Sequence, residues 1–182
     1  MQATKTIYLS LGSNVGDRAA NIGEAITALA FAGVRVTKQS SLYRTEPVDF
    51  EVQSWFLNCC LEAETSLMPR QLLHVIREIE RSMGRRRMMG FAGRRGPRAI
   101  DIDILFYGST RIRTRELELP HPRMAERRFV LVPLREIAPA LRHPALRKTI
   151  AELLADNRDR SHVVKYRGQG LGDREDSFSM EG

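Results

Sequence analysis

Ala99-Ile100-Asp101-Ile102-Asp103-Ile104-Leu105-Phe106-Tyr107 closes the order of elements from which the fold is read. Its alternation has the period of two that marks a strand with one face in a core, so Ile100, Ile102 and Ile104 point inward while Asp101 and Asp103 share the other face. Immediately upstream lies an arginine- and glycine-rich stretch, GRRRMMGFAGRRGPR, at positions 84–98. Before it the spacing predicts a helix from Pro69 to about Met83, opened by proline in its first turn, with Leu72, Leu73, Ile76 and Ile79 on one face. Two strands, Val34 to Tyr43 and Trp55 to Glu64, precede that helix and are joined by a loop containing Pro47. A further helix is capped by Asp17, carries Ile22, Ala25, Ile26 and Leu29, and stops at Gly33. The chain enters it from a strand at Thr6–Leu11 through an expected turn at Gly12-Ser13-Asn14. The order β-α-β-β-α-β predicts an α+β, ferredoxin-like sandwich: an antiparallel sheet with helices on one face, extended by a C-terminal part with one or two more helices.

The chain has 182 residues and 42% hydrophobic content, enough for one domain with a genuine core and too little for a two-domain enzyme. The domain is expected to occupy residues 1–155. From 156 to 182 the sequence turns polar and glycine-rich, predicting a flexible tail with one short strand at Val163–Tyr166. The net charge is +7, and arginine supplies 25 of the 29 basic residues. The tail holds five basic against six acidic residues, so the excess charge belongs to the folded part. Arginine favours planar, bidentate recognition of phosphate and carboxylate, which leaves nucleic acid and a polyphosphorylated small molecule both open. The only cysteines are the neighbours Cys59 and Cys60, a spacing that suits neither a disulfide nor a zinc site. A reducing cytoplasm fits them. Apolar runs are too short for a membrane span and the N-terminus is unlike a signal peptide, so a soluble, cytoplasmic chain is expected.

Asp101 and Asp103 are the most informative pair. Two carboxylates held side by side repel unless they share a proton, find arginine partners or hold a hard cation. Magnesium bound by one or two carboxylates and completed by substrate phosphates is one reading; a half-exposed strand with an acidic solvent face is the other. The neighbourhood bears on the choice. Between Arg77 and Arg98 there are eight arginines against two glutamates, and Arg85, Arg87 and Arg98 are placed to meet the anion that a cation on the aspartates would neutralise from the other side. Carboxylates, metal and arginines together are the equipment of phosphoryl transfer. A solvated basic loop is the alternative. The glycines at 84, 90, 93 and 96 suit a loop that closes over a nucleotide.

Leu119-Pro120-His121-Pro122-Arg123 holds a histidine between two prolines, and Arg127 follows as a further phosphate donor; taken alone, a Pro-His-Pro turn is more often structural. In Trp55-Phe56-Leu57-Asn58, Phe56 and Asn58 share one strand face. An aromatic plate beside an amide suits a flat heterocycle, and a core aromatic next to a strand-edge asparagine is the other reading. The Gly12-to-Arg18 stretch lacks the lysine of a P-loop, and no G-x-G-x-x-G follows a strand. A ferredoxin-like RNA binder would need aromatics in the pattern K/R-G-F/Y-G/A-F-V-x-F/Y on its central strands, which is missing, and would gain nothing from paired aspartates in a basic surface.

YLSLGSNVGDR, SSLYRTEPV, FLN at 56–58, GRRR, RRGPRAIDIDILFYG and LPHPRMAERRFVLVPLREIAP together resemble the 6-hydroxymethyl-7,8-dihydropterin pyrophosphokinase family, in order from about Thr6 to Leu154. The resemblance implies a ferredoxin-like fold and transfer of the terminal diphosphate of ATP to a pterin alcohol. It implies that Asp101 and Asp103 bind two magnesium ions, and that Arg85, Arg87, Arg98, Ile104, His121 and Arg127 bind ATP, with Arg85 and Arg87 also catalytic. It places the pterin between Phe56 and Phe129, beside Asn58 and groups near Thr45 and Pro47. Glu80 is expected to support the arginine-rich loop. Small-molecule substrates, no nucleic acid, no membrane and a monomer complete the expectation. Departures from the family pattern are a longer stretch between Arg87 and Gly96, Arg95 where some members place a tryptophan, Pro122 where some place a tyrosine after the histidine, and Phe56 in place of a tyrosine, which keeps the stacking.

Overall fold

The computed structural model describes residues 3–46, 54–84 and 99–168. Strand β1 (Lys5–Ser13) leads to helix α1 (Arg18–Phe31), β2 (Val34–Gln39), β3 (Tyr43–Thr45), β4 (Phe56–Thr65), α2 (Pro69–Gly84) and β5 (Asp101–Tyr107). A two-residue hairpin, β6 (Ile112–Arg113) and β7 (Glu118–Leu119), a 3-10 turn at Met124–Glu126, α3 (Arg128–Ile137), α4 (Ile150–Asp156) and β8 (Val163–Lys165) follow. The main sheet runs β5-β1-β4-β3-β8, with β2 also paired to β4, and every pairing in it is antiparallel. This is the α+β ferredoxin-like βαββαβ order, lengthened by β8 at one edge.

The strand patterns sort the core into two layers. On one face Ile7, Leu9 and Leu11 of β1 and Ile102 and Ile104 of β5 meet Ile22, Ala25 and Leu29 of α1 and Leu72, Ile76 and Ile79 of α2. On the other, Tyr8, Cys60, Leu105 and Phe106 meet Val130, Leu131 and Leu134 of α3 and Ile150 and Leu153 of α4. The C-terminal extension therefore covers the face that a two-layer sandwich leaves open. Asp17 caps α1 as expected, accepting from the Ala20 N–H at 3.0 Å.

Three differences from the sequence reading have local causes. The strand predicted over Val34–Tyr43 is broken at 40–42. There the Ser40 hydroxyl accepts from the Cys60 N–H at 2.9 Å, and Glu136 accepts from the Ser41 N–H at 3.2 Å. Side chains thus take backbone donors that a continuous ladder would use. Gly12 and Ser13 lie within β1, paired to Asn58 and Leu57, so the turn starts later than predicted. The strand foreseen near Val163 is β8, which pairs with β3 through Tyr43↔Lys165 and Thr45↔Val163. Main-sheet pairing therefore extends beyond the boundary expected at 155. Positions 169–182, the rest of the expected tail, lie outside the described residues.

Candidate active site

Residues that face each other in an antiparallel pair share a sheet face, so the register alone assembles the site. One row across the sheet reads Tyr43, Asn58, Gly12, Asp101; a second reads Cys60, Ser10, Asp103. Asp101 and Asp103 sit half-buried on edge strand β5. With strands about 4.8 Å apart, Asn58 and Asp101 stand roughly 10 Å apart at their Cα atoms, with only glycine between them.

Glu80, on α2, accepts a hydrogen bond from the Ile102 N–H at 2.8 Å. It thereby satisfies an edge-strand donor midway between the two aspartates and ties α2 to that edge.

His121 is set by a β-bulge. The β1–β5 register shifts between Tyr8 and Leu9, leaving Leu105 as the extra residue, and its carbonyl accepts from the His121 N–H at 3.0 Å. The imidazole Nδ1 accepts from the Arg123 N–H at 3.2 Å, so the proton of the neutral ring is on Nε2, which lies 3.8 Å from Asp103 Oδ1. Burial, and then the nearby Arg127 and Arg123, push the His121 pKa down to about 4 against the pull of Asp101. At neutral pH the ring is an uncharged donor, so its approach to Asp103 is not an ion pair.

Arg127 places NH1 3.5 Å from Asp103 Oδ2 and lays its guanidinium 5.6 Å from the centre of the Phe129 ring. The arginine thus joins the acidic pair to the aromatic on the first turn of α3. Asp159 holds that turn from outside the helix, accepting from the Arg128 N–H at 2.9 Å, and Asn157 holds the 3-10 turn before it, donating to the Ala125 carbonyl at 3.0 Å. At the other end of the floor, the buried Asn58 amide donates from Nδ2 to Thr45 Oγ1 at 2.6 Å. Phe56 follows Trp55, whose carbonyl accepts from Arg18 at 2.5 Å and whose ring is stacked by Arg44 at 4.7 Å.

Asp101, Asp103, His121, Arg127 and Phe129 are brought together around β5 and the start of α3, and Phe56, Asn58 and Thr45 lie beside them on β3 and β4. Ile104 is different. Its side chain is buried in the core on the opposite face, which leaves only its main chain for any nucleotide contact. Pro47, Arg85, Arg87 and Arg98 lie outside the described residues. His121 also lines a cavity of about 560 Å³, shared with Arg111, Arg113 and His143. Cys59 and Cys60 are buried free thiols; burial raises Cys59 to about 12 and lifts Cys60 as well, as expected of structural cysteines. Among the described residues no three His, Cys, Asp or Glu side chains gather around a common metal position, and none of the helices is long and apolar enough to cross a membrane.

The model of the 7,8-dihydro-6-hydroxymethylpterin-pyrophosphokinase family matches residues 8–139, a span that contains Thr45, Phe56, Asn58, Glu80, Asp101, Asp103, His121, Arg127 and Phe129. The chain belongs to this family. It is 48% identical over 131 residues to the 2-amino-4-hydroxy-6-hydroxymethyldihydropteridine pyrophosphokinase of Bacillus subtilis, covering 71% of this chain and 76% of that one. It is 43% identical over 152 residues to the protein of the same name from Aquifex aeolicus, covering 84% and 92%. Among solved structures it resembles wild-type Plasmodium falciparum HPPK-DHPS with pteroate, at a TM-score of 0.66 and 20% identity, over 85% of this chain and 42% of that one. That likeness supports the fold. As a family member the protein is a pyrophosphokinase of folate synthesis, an ATP-dependent diphosphotransferase.

Three residues at this candidate site have no role in the sequence expectations. Gly12 was placed in a turn, and Asn157 and Asp159 fell in the expected tail. The last two left no signal, because a hydrogen bond to a turn or helix start thirty residues upstream has no sequence spacing of its own.

Proposed function

We propose that this chain transfers the pyrophosphoryl group of ATP to the hydroxymethyl group of 6-hydroxymethyl-7,8-dihydropterin and releases AMP, with magnesium held by Asp101 and Asp103. The observation that carries the reading is the cross-strand row Asn58, Gly12, Asp101, which sets an amide suited to a heterocycle edge beside a carboxylate pair suited to a hard cation. Two half-exposed carboxylates with no third protein ligand among the described residues fit a cation whose remaining positions are filled by water and phosphate oxygens. Two magnesium ions there would supply charge neutralisation across the triphosphate and acidify the attacking alcohol.

The chain's own residues do the positioning. Asn58 reads the pterin edge, Thr45 and Pro47 contribute to its recognition, and Phe56 and Phe129 supply its two apolar faces. His121, as a neutral Nε2–H donor, and Arg127, as a cation, hold phosphate oxygens next to Asp103. Arg85, Arg87 and Arg98 complete the phosphate clamp, Arg85 and Arg87 acting on the transferring group, and Ile104 contributes main-chain contact to the nucleotide. Glu80 supports the edge of β5 and the arginine-rich loop that follows α2. In-line attack then needs positioning and charge stabilisation more than covalent help from the protein. The catalytic domain comprises residues 1–155, to which the segment through β8 adds a strand, and the protein works as a cytoplasmic monomer.

AMP release from magnesium-ATP, measured with and without 6-hydroxymethyl-7,8-dihydropterin, tests the proposal. AMP formed only with the pterin supports it; AMP formed equally without the pterin, or none from folded protein that binds ATP, contradicts it.

A further inference from the structure

Gly12 is a glycine that its own backbone does not require. It lies inside β1, paired to Asn58 on one side and Asp101 on the other, and it does not have the positive φ that, among the described residues, Gly16, Gly33, Gly108 and Gly168 adopt. Glycine within a strand forfeits packing and conformational restriction, and its presence marks a close approach by something else. Here the approaching group is the Asn58 carboxamide. A Cβ at position 12 would lie 2.5 Å from Asn58 Oδ1, 3.6 Å from its Cγ and 3.9 Å from Phe56 Cδ1. The amide is only 4% exposed, and its Nδ2 is committed to Thr45 Oγ1 at 2.6 Å.

We infer that Gly12 is a positioning residue for the acceptor substrate: the missing side chain lets the Asn58 carboxamide lie with its oxygen over β1, toward Asp101, while Thr45 holds the nitrogen end. The inference rests on the reading that Asn58 binds the pterin. An amide held this way presents a defined donor and acceptor order to a ring edge, and a flipped or rotated amide presents the wrong one. Glycine at position 12 thus serves substrate recognition and not strand formation, which any β-branched residue would serve better.

A double-mutant cycle tests this, using KM for 6-hydroxymethyl-7,8-dihydropterin and for ATP in wild type, Gly12→Ala, Asn58→Ala and the double variant. Gly12→Ala is expected to raise the pterin KM about tenfold or more while the ATP KM stays within about twofold. On the Asn58→Ala background the added methyl has no amide to displace, so its further effect should be under about twofold. Equal effects of Gly12→Ala on both backgrounds, or an unchanged pterin KM in the single variant, would overturn the inference. Failure of Gly12→Ala to fold would overturn it too, because the clash is taken to be relieved by the amide and not by the backbone. A wild-type pterin KM in Asn58→Ala would instead show that the pterin reading itself is wrong, and the inference would fall with it.

Discussion

Glu80 and Ile102 are joined by a hydrogen bond of 2.8 Å from the Ile102 N–H to Glu80 Oε1, from helix α2 to the open edge of β5. The bonded amide lies between Asp101 and Asp103, so the spacing of the two carboxylates depends on how firmly that edge is held. A charge-assisted bond of this kind contributes about 1.5–3 kcal/mol. Glu80→Ala should therefore lower kcat by roughly tenfold or more and raise the magnesium concentration needed for half-maximal rate. Glu80→Gln keeps an accepting oxygen and should retain most of the rate. Kinetics over a magnesium titration check this; an alanine variant with the wild-type magnesium profile would show that the edge needs no such support.

Asp159 predicts a different signature. Its carboxylate accepts from the Arg128 N–H at the start of α3 and from the Ser161 N–H; burial raises its pKa, but hydrogen bonding from Ser161 and then Arg128 outweighs that and leaves it lowered. Asp159→Ala should lower stability by about 1 kcal/mol, the usual worth of a helix cap. Because Arg127 and Phe129 sit on that turn, the pterin KM should rise as well. Thermal unfolding and steady-state kinetics on one preparation would separate the two effects.

Glu136 yields a pH dependence. Burial raises its pKa, but hydrogen bonds from Tyr43 and from the Ser41 hydroxyl and N–H outweigh that and leave it below its ordinary 4.5. A carboxyl depressed in the folded state stabilises the fold above its unfolded pKa, and that contribution is lost as pH falls through the folded value. The wild-type unfolding midpoint should thus drop more steeply below about pH 4.5 than that of Glu136→Gln. Parallel curves for the two proteins would remove Glu136 from the acid-labile set.

Much of this architecture is legible in the residues themselves. Period-two alternation in Ile100–Ile104 and helical spacing in Ile22–Leu29 and Leu72–Ile79 reflect one-dimensional burial patterns, and the structure buries Ile100, Ile102 and Ile104 and all of the helix stripes except Ile26 and Leu73, which are partly buried. Paired carboxylates on one strand face follow from the same alternation. What escaped are relationships made only by folding. Glu136 meets Ser41 and breaks a strand, Asp159 caps a helix begun thirty residues earlier, and Gly12 makes room for Asn58 across a strand pair. Gly12 before Ser13-Asn14 looks like a turn because local chemistry favours one; the pairings to Asn58 and Asp101 override it.

The two cysteines give a simple control on the native state. Both are buried, and burial holds Cys59 at about 12, so almost no thiolate exists near pH 8. A colourimetric thiol reagent should label neither in native protein and both after denaturation. Rapid labelling of one thiol in the native state would contradict the packing of β4.

The central claim is that Asp101 and Asp103 together make the transfer possible. Its most direct test is the pterin-dependent rate of AMP formation by Asp101→Ala and Asp103→Ala across a range of magnesium concentrations. The expected result is a loss of at least about a thousandfold in each variant, not recovered by added magnesium, with weak ATP binding retained. Either variant turning over within about tenfold of wild type would contradict the claim.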